Sequence, residues 1–126
     1  MSELNILIVD DSPTMRRICA NTLKRAGFEN YTEATDGKDA LTKLQDSKFG
    51  LVITDVNMPF MDAIGLVTAM RANETLQGVP VLLVTTRSTP LPEECIQAMG
   101  AGANGYILKP YNPDTLLAKI REIIPR

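Results

Sequence analysis

The chain has 126 residues, enough for one domain with a real core and too few for two. Its formal charge of −2 gives no electrostatic footing for nucleic acid, and no apolar stretch nears the roughly 18 residues of a membrane span. It contains no histidine, which removes Ser-His-Asp and Cys-His triads, the usual zinc sites and a histidine phosphocarrier.

The N-terminus, Met1-Ser2-Glu3-Leu4, lacks the basic-then-apolar layout of a signal peptide. Cys19 and Cys95 fit no disulfide or metal spacing and fall in helical patterns, so a cytoplasmic domain with two small buried or half-buried thiols is expected. Leu4 to Val9 is a first apolar run ending at Asp10-Asp11-Ser12-Pro13. There Ser12 suits a helix N-cap and Pro13 the first helical turn. Met15, Ile18, Cys19, Thr22, Leu23 and Ala26 form the apolar face of that helix, and Gly27 ends it. Asn30 to Ala34 is a weaker strand suited to a sheet edge. Asp36-Gly37 opens a second helix through Ala40, Leu41 and Leu44 that stops near Ser47.

Leu51-Val52-Ile53-Thr54-Asp55 reads as a buried central strand of a parallel sheet with a carboxylate at its end. A loop to Asp62 leads to a third helix carrying Ile64, Leu66, Val67 and Met70. Val79 to Val84 is the next strand, followed by Thr85-Thr86 and a proline-rich loop from Arg87 to Pro92. The fourth helix uses Ile96 and Met99 and closes in Gly100-Ala101-Gly102. Tyr106-Ile107-Leu108 is the last strand, ending at Lys109-Pro110. Asn112-Pro113 caps a final helix with Leu116, Leu117, Ile120, Ile123 and Ile124.

Five alternations of strand and helix predict an α/β fold, a doubly wound five-stranded parallel sheet in the order 2-1-3-4-5, flavodoxin-like (βα)5. Residues 1–126 are expected to form a single domain.

Asp10, Asp11, Asp55, Thr85 and Lys109 all fall at strand ends, where open α/β sheets keep their ligands. An acid beside a helix N-terminus is stabilised by the dipole, so capping alone accounts for one carboxylate. Three acids together need a cation, and an all-oxygen set favours Mg²⁺, with Mn²⁺ the alternative. Lys109 adds a compact cation and Thr85 a hydroxyl. Together these groups suit phosphoryl transfer with Asp55 as nucleophile. No Gly-rich phosphate loop follows the first strand, so the donor is expected to be another protein or a small acyl phosphate rather than ATP.

Taken in order, Ile8-Val9-Asp10-Asp11-Ser12, Asp55-Val56-Asn57-Met58-Pro59-Phe60-Met61-Asp62, Val84-Thr85-Thr86 and Gly105-Tyr106-Ile107-Leu108-Lys109-Pro110 resemble the receiver domains of two-component response regulators, the single-domain chemotaxis type among them. The resemblance implies that Asp55 is the phosphoacceptor, charged by the phosphohistidine of a sensor histidine kinase or phosphotransfer protein. It implies that Asp11, Asp55 and the backbone carbonyl of Asn57 hold Mg²⁺, with Asp10 acting through water, and that Lys109 binds the phosphoryl group. Thr85 and Tyr106 match the paired switch, and Asn57 and Arg87 the positions that tune phosphate lifetime. The Lys109-Pro110 bond matches a cis peptide.

The implied function is a phosphorylation-activated signalling switch without an output domain, acting on an effector such as a flagellar-motor component through the fourth helix, fifth strand and fifth helix. No turnover is expected beyond its own Mg²⁺-dependent phosphorylation and slow dephosphorylation. Nucleic-acid and membrane partners are not expected. A phosphorylation-independent scaffold, or a receiver cut from a longer regulator, is the alternative. A Mg²⁺-dependent aspartyl phosphatase is disfavoured because its D-x-D nucleophile belongs on the first strand.

Ala63 stands where the family has glycine, which is expected to restrict positive φ in the turn before the third helix. Gly65 is expected to weaken that helix by about 1 kcal/mol relative to alanine. Gly100 is expected to loosen the output face, and the Arg87-to-Pro92 loop is expected to be slightly longer and more proline-rich than in the chemotaxis proteins.

Overall fold

The computed structural model describes residues 4–58, 60–86 and 91–124. Strands β1 (Ile6–Val9), β2 (Tyr31–Ala34), β3 (Leu51–Asp55), β4 (Val81–Thr86) and β5 (Gly105–Lys109) alternate with helices α1 (Pro13–Arg25), α2 (Gly37–Asp46), α3 (Ala63–Arg71), α4 (Glu93–Ala101) and α5 (Pro113–Ile123). All pairings are parallel and the sheet order is β2-β1-β3-β4-β5, as the alternation predicts. No helix among the described residues is long and apolar enough to cross a membrane.

Strand alternation divides the core in two. Leu7, Val9, Val52, Leu83 and Tyr106 pack toward α2, α3 and α4, whereas Ile6, Ile8, Ile53, Val84 and Ile107 pack toward α1 and α5. β1 and β3 are buried on both faces, which is why they read as continuous apolar runs; β2 is half-exposed, as an edge strand should be.

Among the described residues, side chains cap four of the five helices. Ser12 accepts from the Met15 N–H at 3.2 Å, Asp36 from Asp39 at 2.8 Å, Asp62 from Gly65 at 3.0 Å and Asn112 from Thr115 at 2.8 Å. The N-cap of α4 is Pro92 and has no side-chain cap.

Three local expectations need correction. Ile18 and Ile96, assigned to buried helix faces, are 46% and 49% exposed, and Cys95 and Ala98 supply the buried face of α4 instead. β4 begins at Val81, two residues after the apolar run starts, because Val79 and Pro80 still belong to the approach from α3. Ala63 needs no positive φ: it is the buried first residue of α3, and the left-handed residue of the preceding turn is Phe60, at φ 68°.

Gly65 has a packing reason as well as a helix cost. A Cβ there would sit 3.0 Å from Met61 Cγ, so the missing methyl lets Met61 fold onto the helix. The same methionine covers Gly37, whose N–H donates to the Met61 carbonyl at 3.0 Å. The β3–α3 turn is thereby pinned to the start of α2.

At the opposite pole, Arg71 binds the carbonyls of Gly102, Gln77 and Val79 and Oδ1 of Asn104 at 2.9–3.0 Å. This clasp joins the end of α3 to the end of α4.

Candidate phosphoacceptor site

Asp10, Asp55 and Lys109 converge because each continues the same alternating row. In β1 the row is Ile6, Ile8 and then Asp10; in β3 it is Leu51, Ile53 and then Asp55; in β5 it is Ile107 and then Lys109. Where the apolar row runs out at the carboxyl end of the sheet, charged side chains replace it.

Register sets the reach. Asp55 pairs with Val84, which pairs with Ile107, so Lys109 stands two residues beyond the level of Asp55 and its long stem spans back. Lys109 Nζ donates to Asp55 Oδ1 at 3.4 Å. Carboxylate oxygens of Asp10, Asp11 and Asp55 all lie within 4.8 Å of one another.

The three acids differ in setting. Asp10 is buried, Asp55 half-buried and Asp11 exposed. Burial raises the Asp55 carboxyl above the usual carboxylate range, and the Lys109 ammonium pulls it partway back. Burial raises Asp10 as well; the Ser12 N–H, 2.9 Å from its Oδ1, opposes the rise, and the Asp55 charge adds to it. Among the described residues, one ammonium beside three acids leaves the cluster short of positive charge. An all-oxygen donor set with that deficit fits a hard divalent cation.

A small cavity behind the carboxylates is lined by Asp10, Asp55, Lys109, Met15, Cys19 and Tyr111. Cys19 and Tyr111 face this same cavity, and burial pushes the Cys19 thiol up to about 11 and raises the Tyr111 phenol too. Neither residue was singled out as part of the site from the sequence. Only the fold brings the middle of α1 beside the chain after Lys109-Pro110, whose peptide is cis.

Thr85 is buried next to the end of β4, pairs with Leu108, and by alternation shares the α2–α4 face with Leu83. Leu83 pairs with Tyr106, so Thr85 and half-buried Tyr106 lie on one face, two residues apart in register. Lys119 Nζ lies 5.8 Å from the Tyr106 ring centroid. Asn57 is exposed in the turn after β3. Arg87 and Pro59 lie outside the described residues, as does most of the loop expected to be long.

Residues 6–121 match the response regulator receiver domain family. The chain is a member of that family. It is 46% identical over 123 residues to the chemotaxis protein CheY of Pseudomonas aeruginosa, covering 98% of each chain. It is also 46% identical to the chemotaxis protein CheY-3 of Vibrio cholerae, covering 98% of this chain and 93% of that protein. Among solved structures it resembles the chemotaxis response regulator CheY4 of Vibrio cholerae with a TM-score of 0.84 and 36% identity, covering 96% of this chain and 98% of that one. The receiver is therefore CheY-like in fold and sequence, and its acidic cluster lies where the sheet topology puts a ligand.

Proposed function

We propose that this receiver is a two-component signalling switch of the chemotaxis type, driven by phosphorylation of Asp55. The observation that carries the reading is the placing of one half-buried carboxylate between an ammonium at 3.4 Å and two further acids within 4.8 Å. Desolvation keeps Asp55 in a low-dielectric setting where fixed charges act strongly on a reacting phosphoryl group.

Asp10, Asp11 and Asp55 would hold Mg²⁺, joined by the backbone carbonyl of Asn57. When bound, the ion supplies neutralising charge for the carboxylates and for phosphoryl oxygens. Asp55 contributes the attacking oxygen. The bond from phosphorus to the donor breaks, the imidazole of a kinase phosphohistidine leaves with the electron pair, and an acyl phosphate remains on Asp55. Lys109 binds a phosphoryl oxygen in place of its present contact with Asp55. Asn57 and Arg87 set how readily water reaches the acyl phosphate.

Signal output follows from population shift. The added dianion favours the arrangement in which the Thr85 hydroxyl is drawn toward it, and Tyr106 follows on the same face. A groove of about 600 Å³ lined by Tyr106, Leu108, Tyr111, Thr115 and Lys119 supports the β5 and α5 part of an effector site on α4, β5 and α5. A sensor histidine kinase or phosphotransfer protein would be the donor, and a flagellar-motor component fits the effector role.

Intact mass after incubation with acetyl phosphate tests the reading. A single phosphoryl adduct is expected that requires Mg²⁺ and vanishes in Asp55→Asn. An adduct that survives that substitution, or none in the wild type, overturns it.

A further inference from the structure

Asp10 is the first residue beyond β1, so the strand ladder no longer holds both sides of its backbone. Its N–H still donates to the Ala34 carbonyl at 3.1 Å, and its Oδ1 accepts the Ser12 N–H at 2.9 Å. Its carbonyl is taken by a side chain: Arg16 Nη1 donates to Asp10 O at 2.7 Å. From the same guanidinium, Nε donates to Glu33 Oε1 at 2.9 Å. Glu33 pairs with Ile8 in the parallel register, so the edge strand β2 is connected through Arg16 to the turn that carries both Asp10 and Asp11.

We infer that Arg16 is a positioning residue for the metal site, holding the Asp10-Asp11 turn in its ion-binding geometry through a Glu33–Arg16–Asp10 bridge. The inference rests on the reading of Asp10, Asp11 and Asp55 as Mg²⁺ ligands. Arg16 is only 14% exposed and touches no carboxylate of the cluster; it acts on the peptide between the two aspartates. The planar fork suits the task because two donors at a fixed angle reach two acceptors at once, which an ammonium on a flexible stem cannot reproduce. Glu33 both aims the fork and neutralises it, so a cation is tolerated close to a site that must attract another.

The sign of one measurement separates positioning from simple charge. Removing a nearby cation should tighten Mg²⁺ binding if only electrostatics matter, because repulsion falls. Removing a bridge that orders the ligands should weaken it. Calorimetric titration of the phosphate-free protein with MgCl₂ is expected to give binding about tenfold weaker in Arg16→Gln, a typical loss when a partner of a metal ligand is removed. Arg16→Lys, which keeps the charge and loses the fork, is expected to weaken binding as well. That variant decides the matter if Arg16→Gln does not fold, because no change of charge can account for its loss, whereas Glu33→Gln removes an anion and would weaken cation binding by electrostatics alone.

Arg71→Gln at the opposite pole serves as the structural control. It should lower Tm without moving Mg²⁺ affinity. Unchanged or tighter binding in Arg16→Gln, or in Arg16→Lys where Arg16→Gln does not fold, overturns the inference while the metal reading stands. A wild type that binds no Mg²⁺ overturns the metal reading, and the inference with it.

Discussion

Lys109 Nζ lies 3.4 Å from Asp55 Oδ1, reaching across β4 between residues 54 positions apart in sequence. The contact is long for a charge-assisted hydrogen bond, and both partners retain some exposure. It is better understood as a cation held within reach of the carboxylate than as a stabilising ion pair. Lys109→Met should therefore leave the fold intact and raise the Asp55 pKa further, since the ammonium is what opposes the effect of burial. Phosphorylation by acetyl phosphate should slow by about two orders of magnitude, the usual cost of losing one transition-state donor. A carbon-13 carboxyl titration and a labelling time course check both expectations.

The same burial makes Asp55 costly to the folded state without metal. Its folded pKa is raised, so between the usual carboxylate value and that raised value the native protein holds a proton the unfolded chain has released. Stability from this group is thus greatest at low pH, falls as pH rises through that window, and levels off above it. Asp10 pushes in the same direction, while Lys109 and a bound cation oppose it. In EDTA at pH 7.5, Asp55→Asn should raise Tm by an amount on the order of 4 °C, equivalent to about 1 kcal/mol in a domain of this size. The difference should shrink as pH is lowered through the raised pKa. Thermal melts across pH 4–8, an interval chosen to bracket the ordinary carboxylate range, test this.

Phe60 carries a separate cost. It adopts φ 68° and is 86% exposed, so the turn accepts left-handed strain with little burial in return. Phe60→Asn should stabilise the protein by about 0.5–1 kcal/mol, because asparagine tolerates this conformation without the unfolded-state entropy of glycine. The Gly37–Met61 hydrogen bond pins the turn independently, so acetyl phosphate labelling should not change. Urea denaturation and labelling on the same samples decide it.

Much of this molecule can be read from the chain because local and global signals agree. Continuous apolar runs at β1, β3 and β4 specify buried parallel strands, and Ser12, Asp36, Asp62 and Asn112 all occupy cap positions. The acids and Lys109 are legible because they end apolar runs. Bridges made through side chains are not. Nothing in the spacing of Arg16 and Glu33 says they meet over the Asp10 carbonyl, and the Cys19–Tyr111 contact joins α1 to the segment after β5. Ile18 and Ile96 mislead for a different reason. Helical periodicity locates an apolar stripe, but the width of the packed interface decides whether residues at its margin are covered.

The proposed signal transfer can be followed inside the molecule because the three tyrosines differ in setting, Tyr106 and Tyr111 sharing the β5–α5 groove but not the cavity at Asp55, and there is no tryptophan. Tyr111 lines the cavity shared by Asp55 and Lys109. Tyr106 is on the opposite sheet face, in the Thr85 row. Tyr31 is at the edge strand, with Lys24 Nζ 5.7 Å from its ring centroid. With 3-fluorotyrosine incorporated, phosphorylation should shift the Tyr111 fluorine resonance because the new dianion is close, and the Tyr106 resonance because Thr85 has moved. Tyr31 should remain still. In Thr85→Ala the adduct should still form and Tyr111 should still respond, while the Tyr106 shift is lost. A Tyr106 shift that persists without the hydroxyl would mean that the output face senses the phosphoryl group by a route other than Thr85.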